Sequence, residues 1–389
     1  MTTPMPDGHV TSRVIQHAAE WDAIRREWEE LYTACPTAAT ALDHAWLRTW
    51  WRVYQPSIQA ASLRVVTVWR ASTLIGVCPL YSHRENRGLH GVRHLRIVST
   101  GEAEFEETCP DYLNILSLPG EDSLCARVVW REIGRMAWDH LELLHLDASS
   151  PLLLPWVLPP NTHPFSMGAC PVADLTGGFE AYLHRLSSNG RQQARRLLRE
   201  GDLAGVRFEI VGIDQAADVF SDLIRLHQAR WARDGQPGVF AAPRFTEFHR
   251  HLIARWLPTG RAVLARLSLH ARACAVLYGF VTGSKFDFYQ SGVDVTTGSL
   301  RSPGNLAHLL LMKALIERRI TAYDFLRGSS SYKKRLATGE RHLSGVEIWR
   351  PTLQAAAYRS VRLGRRIFRM GSRLRAAHRV RQKSGVPVL

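Results

Sequence analysis

The order in which helical and strand-like segments follow one another is repeated along this chain, and that repeat limits the fold more than any single residue does. In the first half, "WDAIRREWEELY" sets Trp21, Ile24, Trp28 and Leu31 three and four residues apart, on one helical face. "LDHAWLRTWWRVY" has the same period. "SLRVVTVWR" and "TLIGVCPLYSH" read as a hairpin across Ala71-Ser72. "VRHLRIVS", "DYLNILSL" and "LELLHL" read as further strands, with the helical "SLCARVVWREIGRMAW" between the last two. The second half starts near Cys170 with a long basic helix or helix pair, "FEAYLHRLSSNGRQQARRLLRE", then the strand "AGVRFEIVG". The helices "AADVFSDLIRLHQARWARDG" and "FTEFHRHLIARWL" follow. Three strands come next, "RAVLARLSL", "ARACAVLYGFVTG" and "KFDFYQSGVD", and after them the helix "SPGNLAHLLLMKALIERR" and the strand "TAYDFLRG". Each half thus offers helices, an antiparallel hairpin and a strand–helix–strand crossover. The economical reading is α/β (α+β): two domains in tandem, each a mixed, largely antiparallel sheet flanked by helices. The proline-rich segment 151–171 marks the boundary, giving domains at 1–165 and 166–350 and a tail at 351–389.

Composition fits that reading. A length of 389 residues accommodates two ordinary domains, and 46% hydrophobic with 22% charged residues is an ordinary globular balance. No apolar run is long enough to span a bilayer, and "MTTPMPDGHV" lacks the pattern of an export signal. Six scattered cysteines without a CxxC pair predict reduced thiols and a cytoplasmic location. The 17 histidines show neither HExxH nor zinc-finger spacing, so no metal is expected. The net charge of +15 is concentrated in the tail, where Pro351 to Leu389 holds ten Arg or Lys and no Asp or Glu. Leu363, Ile367, Met370 and Leu374 recur there among arginines. That pattern suits an anionic membrane surface or RNA, or equally a solvated helix or one that packs back on the body. Gly364 and Gly371 weaken any such helix.

The segment richest in chemistry runs from "KFDFYQSGVD" to "DFLRGSSSYKK". Its helix opens with Ser302-Pro303-Gly304-Asn305. Ser302 suits the N-cap, Pro303 the first turn, and Gly304 a close backbone approach. First-turn N–H groups, the helix dipole and Arg301 would together receive a phosphate. The same residues would also serve simply to start a helix.

In register, "LHQARWARDGQPGVF", "FYQSGVD", "SPGNL", "YDFLRG" and "YKKRL" closely resemble the CelD-like acyltransferases of the GNAT superfamily, over Phe179 to Arg350. "WDAI", "HAWLRTWW", "LIGVCPLY" and "DYLNIL" look like that family's degenerate N-terminal GNAT-like domain. The tandem arrangement is shared with Fem-type peptidoglycan aminoacyltransferases. The resemblance implies an acyl-CoA against the splayed central strands, its pyrophosphate on Ser302, Gly304 and Asn305 with Arg301. The implied reaction is acyl transfer to an amine, of an amino sugar or an envelope or exopolysaccharide precursor, with no metal. Such a transfer needs a base, an oxyanion donor and an acid. Asp324 is the strand-end carboxylate, either a base or a buried tie for the loop backbone. On a continuous strand it faces opposite to Tyr323, Phe325 and Arg327. Tyr332 is the candidate acid, and Lys333 matches the family's Tyr-Lys pair and could hold a phosphate. His227 is a possible base by chemical type. Trp231, Tyr289, Gln290 and Arg327 are expected at the substrate, although Trp231 and Phe240 could equally be core. Asp111-Tyr112 matches a family pair whose role the residues do not reveal. Ser329, Ser330 and Ser331 stand where the family carries acidic residues, and Leu336 where an aromatic is common, which bears on acceptor choice. Arg191, Arg195, Arg196 and Arg199 form a basic helix face that either grips an acceptor or is solvated. Two alternatives stay open: a Fem-like transferase drawing on aminoacyl-tRNA, and a non-catalytic protein that binds a partner or the inner membrane face through its tail.

Overall fold

A computed structural model of the chain describes residues 9–87, 90–294, 300–328, 330–356 and 358–359. Ser329 and the basic tail from residue 360 onward lie outside the described residues. Among the described residues, no helix is long and apolar enough to cross a membrane.

The strands form two sheets. The smaller has four, ordered Val10–Ile15, Val65–Arg70, Thr73–Cys78 and Leu116–Ser117, all antiparallel. The larger has eleven. Its second-half edge runs Arg207–Ile210, Ala262–Leu269, Arg272–Thr282, Lys285–Val293, Ala322–Asp324. The order then continues through Phe165–Asp174, Gly339–Trp349, His140–Asp147, His90–Ile97, Leu80–Arg87 and Ser62–Leu63. Two pairings in it are parallel, Lys285–Val293 with Ala322–Asp324 and His90–Ile97 with His140–Asp147. Each parallel pair is bridged by one of the crossover helices expected from the repeat, Pro303–Glu317 and Asp122–Arg135, since parallel neighbours need a long connection. The fold is therefore a mixed, mostly antiparallel sheet flanked by helices.

Several apolar runs are shorter as strands than their composition suggests. "TLIGVCPLYSH" is cut at Pro79 into Thr73–Cys78, in the small sheet, and Leu80–Arg87, in the large one. A proline has no N–H for a ladder, so it sits where the chain changes sheets. "DYLNILSL" keeps only Leu116–Ser117. "TAYDFLRG" ends as a strand at Asp324, because Leu326 adopts a left-handed φ of 55°. The alternation expected through Arg327 stops there.

Buried side chains fall into two clusters. One lies beneath the second-half sheet with helix Pro303–Glu317. The other joins the first half to helices Ile213–Arg233 and Pro243–Trp256. Trp46 is central to it, edge-on to Phe248 at 4.9 Å and Phe280 at 5.4 Å. Its indole N–H is spent on Ser99 Oγ at 2.9 Å.

One glycine sets how closely helix Ile213–Arg233 lies on the sheet. A Cβ at Gly292 would stand 2.7 Å from Leu223 O and from Leu226 Cβ, closer than real Cβ atoms come. Gly292→Ala must push the helix away, so we expect a loss of about 1–3 kcal/mol, read from the denaturant midpoint. Unchanged stability would show that the helix moves freely against the strand.

Candidate active site

Two adjoining cavities open where helix Pro303–Glu317, helix Ile213–Arg233 and the loop after Asp324 converge. The first, of about 390 Å³, lies at the start of Pro303–Glu317 and is lined by Arg301, Ser302, Gly304 and Asn305. Ser302 occupies the N-cap position, as expected, but its side chain makes no capping hydrogen bond. Leu306 is the first residue of the helix to bond back, to Ser302 O at 3.1 Å. The N–H groups of Gly304 and Asn305 precede any i−4 carbonyl of the helix. A Cβ on Gly304 would lie 3.2 Å from Val293, so the glycine also lets helix and strand approach. Exposed Arg230, Arg301 and Arg335 ring the cavity. Its carboxylate, Asp294, already accepts from Arg272 at 2.9 Å.

His308 forms part of the same wall and was not anticipated, being a lone histidine in an apolar helix. It is fully desolvated and held neutral, with a pKa of about 3. Its Nδ1 shares a 2.7 Å hydrogen bond with Tyr323 OH, and its ring stacks under Tyr332 with centroids 5.4 Å apart.

The second cavity, of about 310 Å³, gathers His227, Trp231, Tyr289, Gln290, Arg327 and Lys333. Tyr332, Arg230 and Ser291 line both cavities, so the phenol stands at their junction. Burial pushes that phenol up to about 12, and it keeps its proton at neutral pH.

Two of these residues are engaged differently from the sequence expectation. His227 Nε2 accepts from Trp231 Nε1 at 2.9 Å, and its Nδ1 lies 3.0 Å from Gln228 Oε1. With both nitrogens occupied and burial lowering its pKa, the ring has no lone pair for an acceptor ammonium. Its edge also packs on buried Phe240 at 5.0 Å, while Trp231 is 39% exposed. Lys333, expected at a phosphate, is buried. It donates to the carbonyls of Phe325 (2.7 Å), Leu326 (3.3 Å) and Arg327 (2.8 Å). Three donors meet three acceptors, and the ammonium closes the loop instead.

Asp324 lines neither cavity and is 0% exposed. Its Oδ1 accepts from Leu326 N at 2.8 Å and its Oδ2 from Tyr112 OH at 2.7 Å. Desolvation raises its pKa to about 6, against the pull of Lys285. Of its two sequence readings, this geometry is that of the loop tie.

Two carboxylates line the second cavity, Glu107 and Asp111, and both come from the first half. Asp111 Oδ2 accepts from Arg327 N at 2.7 Å. Its buried Oδ1 has no hydrogen-bond partner and lies 3.7 Å from Arg327 Nε. Burial raises its pKa, and Arg327 opposes that rise. Glu107 and Cys109 stand beside it on the cavity wall. Cys109 and Tyr112 on either side have left-handed φ values of 44° and 64°. Non-glycine residues held there cost of order 1–3 kcal/mol each and cluster at functional sites. The sequence signal was present in the matched pair Asp111-Tyr112, but nothing local says which way the carboxylate faces. The basic face at 191–199 is partly neutralised: Arg195 bonds Glu180 at 3.0 Å and Arg196 bonds Glu200 at 2.7 Å.

Residues 188–334 match the model of the acetyltransferase (GNAT) domain family, a span that includes second-half walls of both cavities. The chain is similar in structure to FemX at 11% identity, over 87% of this chain and 98% of that one, with a TM-score of 0.58. It is also similar to a conserved protein of unknown function from Bacteroides thetaiotaomicron, at 11% identity over 86% and 99% of the two chains, with a TM-score of 0.54. At these identities the likeness is one of fold. No curated protein matches the sequence. The chain thus carries a GNAT-superfamily acetyltransferase domain over residues 188–334, within a fold that it shares with FemX.

Proposed function

We propose that this protein is an N-acyltransferase that moves an acyl group from acyl-CoA to an amine. The observation that carries the reading is the meeting of two unlike cavities at Tyr332, one ringed by arginines at a helix start and one lined by an aspartate whose buried Oδ1 makes no hydrogen bond. The donor pyrophosphate lies on the Gly304 and Asn305 N–H groups, with Arg230, Arg301 and Arg335 as counter-charges. The acceptor enters beside Gln290 and Arg327. Asp111 Oδ1 takes a proton from its ammonium, and the freed nitrogen attacks the thioester carbon. The strand register skips Tyr289 between Phe288 and Gln290, and its backbone N–H is our candidate donor to the oxyanion. As the C–S bond breaks, Tyr332 gives its proton to the leaving thiolate, and the second proton lost by the attacking nitrogen restores the phenol.

In this reading residues 1–165 are a degenerate GNAT-like domain that lends Asp111 to the acyltransferase domain at 166–350. The CelD-like resemblance supports an amino-sugar or exopolysaccharide-precursor amine as acceptor, handled in the cytoplasm or at the inner membrane face. The serines at 330 and 331, in place of acidic residues, favour an acceptor with less positive charge. FemX-like architecture keeps a second donor in view, aminoacyl-tRNA. The ion pairs along the 191–199 face weigh against it, because they use charge that RNA phosphates would need.

Calorimetric titration with acetyl-CoA, a longer acyl-CoA and free CoA should give saturable binding. Arg301→Ala should weaken it by roughly tenfold, about 1.4 kcal/mol. If none of the three binds, the acyl-CoA donor is wrong and aminoacyl-tRNA becomes the ligand to try.

Two carboxylate variants separate base from tie. Asp111→Asn should lower kcat by roughly 10²–10⁴-fold with CoA binding kept. A base works only when ionised, so the wild-type rate should rise with pH through a pKa above the ordinary carboxylate range, and the variant should lack that limb. Asp324→Asn should retain most of the turnover. A folded-state pKa raised to about 6 means that Asp324 favours the fold most below the ordinary value of 3.8. That contribution is lost as pH rises through about 6, and the uncharged variant should show a flatter stability profile there. Loss of turnover in a folded Asp324→Asn would return the base role to Asp324.

A further inference from the structure

Away from the candidate active site, two imidazoles and three carboxylates gather inside the large sheet. Parallel pairing sets His94 beside His140 and Arg96 beside Glu142. Residues two apart on a strand share a face, so all four project together. The rings turn their Nδ1 atoms toward each other, 3.0 Å apart. Glu142 Oε2 lies 3.9 Å from His94 Nδ1 and 3.8 Å from His140 Nδ1, and all three residues are buried. The outward nitrogens both face carboxylates: His140 Nε2 is 2.9 Å from Glu347 Oε1, and His94 Nε2 is 3.5 Å from Glu85 Oε2.

An imidazole that directs its Nε2–H at a carboxylate presents a bare lone pair at Nδ1. His140, hydrogen-bonded to Glu347, is such a ring. His94, whose Nε2 stands at the longer distance of 3.5 Å from Glu85, either donates an Nδ1–H to His140 Nδ1 or carries its proton at Nε2. In the second state two lone pairs and a carboxylate oxygen face one point that a cation would fill. The surrounding charge points to a divalent one. Glu85, Glu142 and Glu347 bring three negative charges and Arg96, bonded to Glu142, one positive; a dication brings the group to neutrality. The geometry also suits one, because metal–ligand bonds of about 2.0–2.2 Å hold donor atoms within about 4 Å of each other. Rings oriented from behind by carboxylates are the usual outer arrangement of histidine metal sites.

We propose that His94 Nδ1, His140 Nδ1 and Glu142 form a buried divalent-metal site of the zinc type, with Glu347 and Glu85 orienting the two rings. Imidazole and carboxylate donors select zinc and its transition-metal neighbours over calcium or magnesium. Trp349 stacks on His140 with centroids 3.6 Å apart, and His83 stacks on His94 at 4.7 Å, so both ring planes are fixed. The fourth position falls to a water or to Glu85. Arg96 and Glu142 also line a cavity of about 200 Å³ that shares Glu107 and Cys109 with the acceptor cavity, which gives the ion a way in. Bound there, it fastens His90–Ile97, His140–Asp147 and Gly339–Trp349, the strands through which the two halves share one sheet. HExxH and zinc-finger patterns miss such a site because its ligands come from neighbouring strands. The local trace is only the His140-x-Glu142 step on one strand face.

The test uses the full, untagged chain, stripped with a chelator and titrated with Zn²⁺ or Co²⁺. One equivalent should bind per chain, raising Tm with Zn²⁺ and giving the visible absorption of low-symmetry Co²⁺. Glu347→Gln, at a partly exposed residue, should weaken Zn²⁺ binding by roughly 10–100-fold. His140→Gln should abolish it, and His251→Gln on an exposed helix face should leave it unchanged. If His140→Gln does not fold, the wild-type stoichiometry and Glu347→Gln decide between them. No stoichiometric binding by the wild type would overturn the site in favour of a proton shared between the rings. Binding that Glu347→Gln does not weaken would place the ion elsewhere and overturn it too.

Discussion

The rest of the candidate site depends on how the loop after Asp324 is held. Two aspartates, one from each half, grip it through its own backbone. Asp324 takes the Leu326 N–H and the Tyr112 hydroxyl, and Asp111 takes the Arg327 N–H. Lys333 then takes the carbonyls of residues 325–327. A buried carboxylate costs several kcal/mol unless its lone pairs are answered, and charge-assisted bonds to amides and a phenol answer most of them here. Satisfying both aspartates forces Leu326 into the left-handed region. Phe325 therefore stays in the second-half core while Leu326 packs on the first-half cluster. The loop is where the chain crosses from one core to the other, and the cavity walls follow from that crossing.

Charge in the two cavities is arranged according to what it would be asked to do. Arg230, Arg301 and Arg335 are exposed, where a guanidinium is inexpensive to keep ionised and attracts phosphate without changing its own state. Asp111 is the reverse case. Its free oxygen is buried, its carboxylate is already partly committed to the loop, and desolvation strengthens it as a base. Between the two stands Tyr332 against a neutral His308, whose Nδ1 is bonded to Tyr323. In the proposed reading, binding charge is left in water and reacting charge is taken out of it.

Much of the fold was readable because it rests on local pattern: the helical period, the Ala71-Ser72 turn, and the crossover helices that fix both parallel pairings. What could not be read depended on partners far along the chain. Pro79 was visible, but not that the segments on either side of it join different sheets. Asp324 offered itself as a base because a carboxylate at a strand end looks available. The phenol that covers it, Tyr112, is 212 residues away. His227 looked like a base until Trp231, one helical turn on, was seen to occupy its Nε2. Lys333 matched a family pair and was expected at a phosphate, yet its ammonium turns inward to carbonyls. Residue type and spacing select which groups gather, whereas protonation and reach are set by contacts that only folding makes.

That distinction bears on where the chemistry of the matched domain comes from. The GNAT span, 188–334, contains the helix start, Arg230, Arg301 and Tyr332, which the proposed reading places on the donor side. Asp111, whose Oδ1 makes no hydrogen bond, lies outside that span, on a first-half loop strained at Cys109 and Tyr112. In the proposed reading, a second-half domain by itself would hold the donor but lack the group that readies the acceptor. The strained loop is kept in place by the same aspartate contacts that shape residues 324–327 and by the continuous eleven-stranded sheet behind it. If the first half is a degenerate domain, as proposed, it has no donor site to maintain and is free to hold a costly backbone conformation for its neighbour's use.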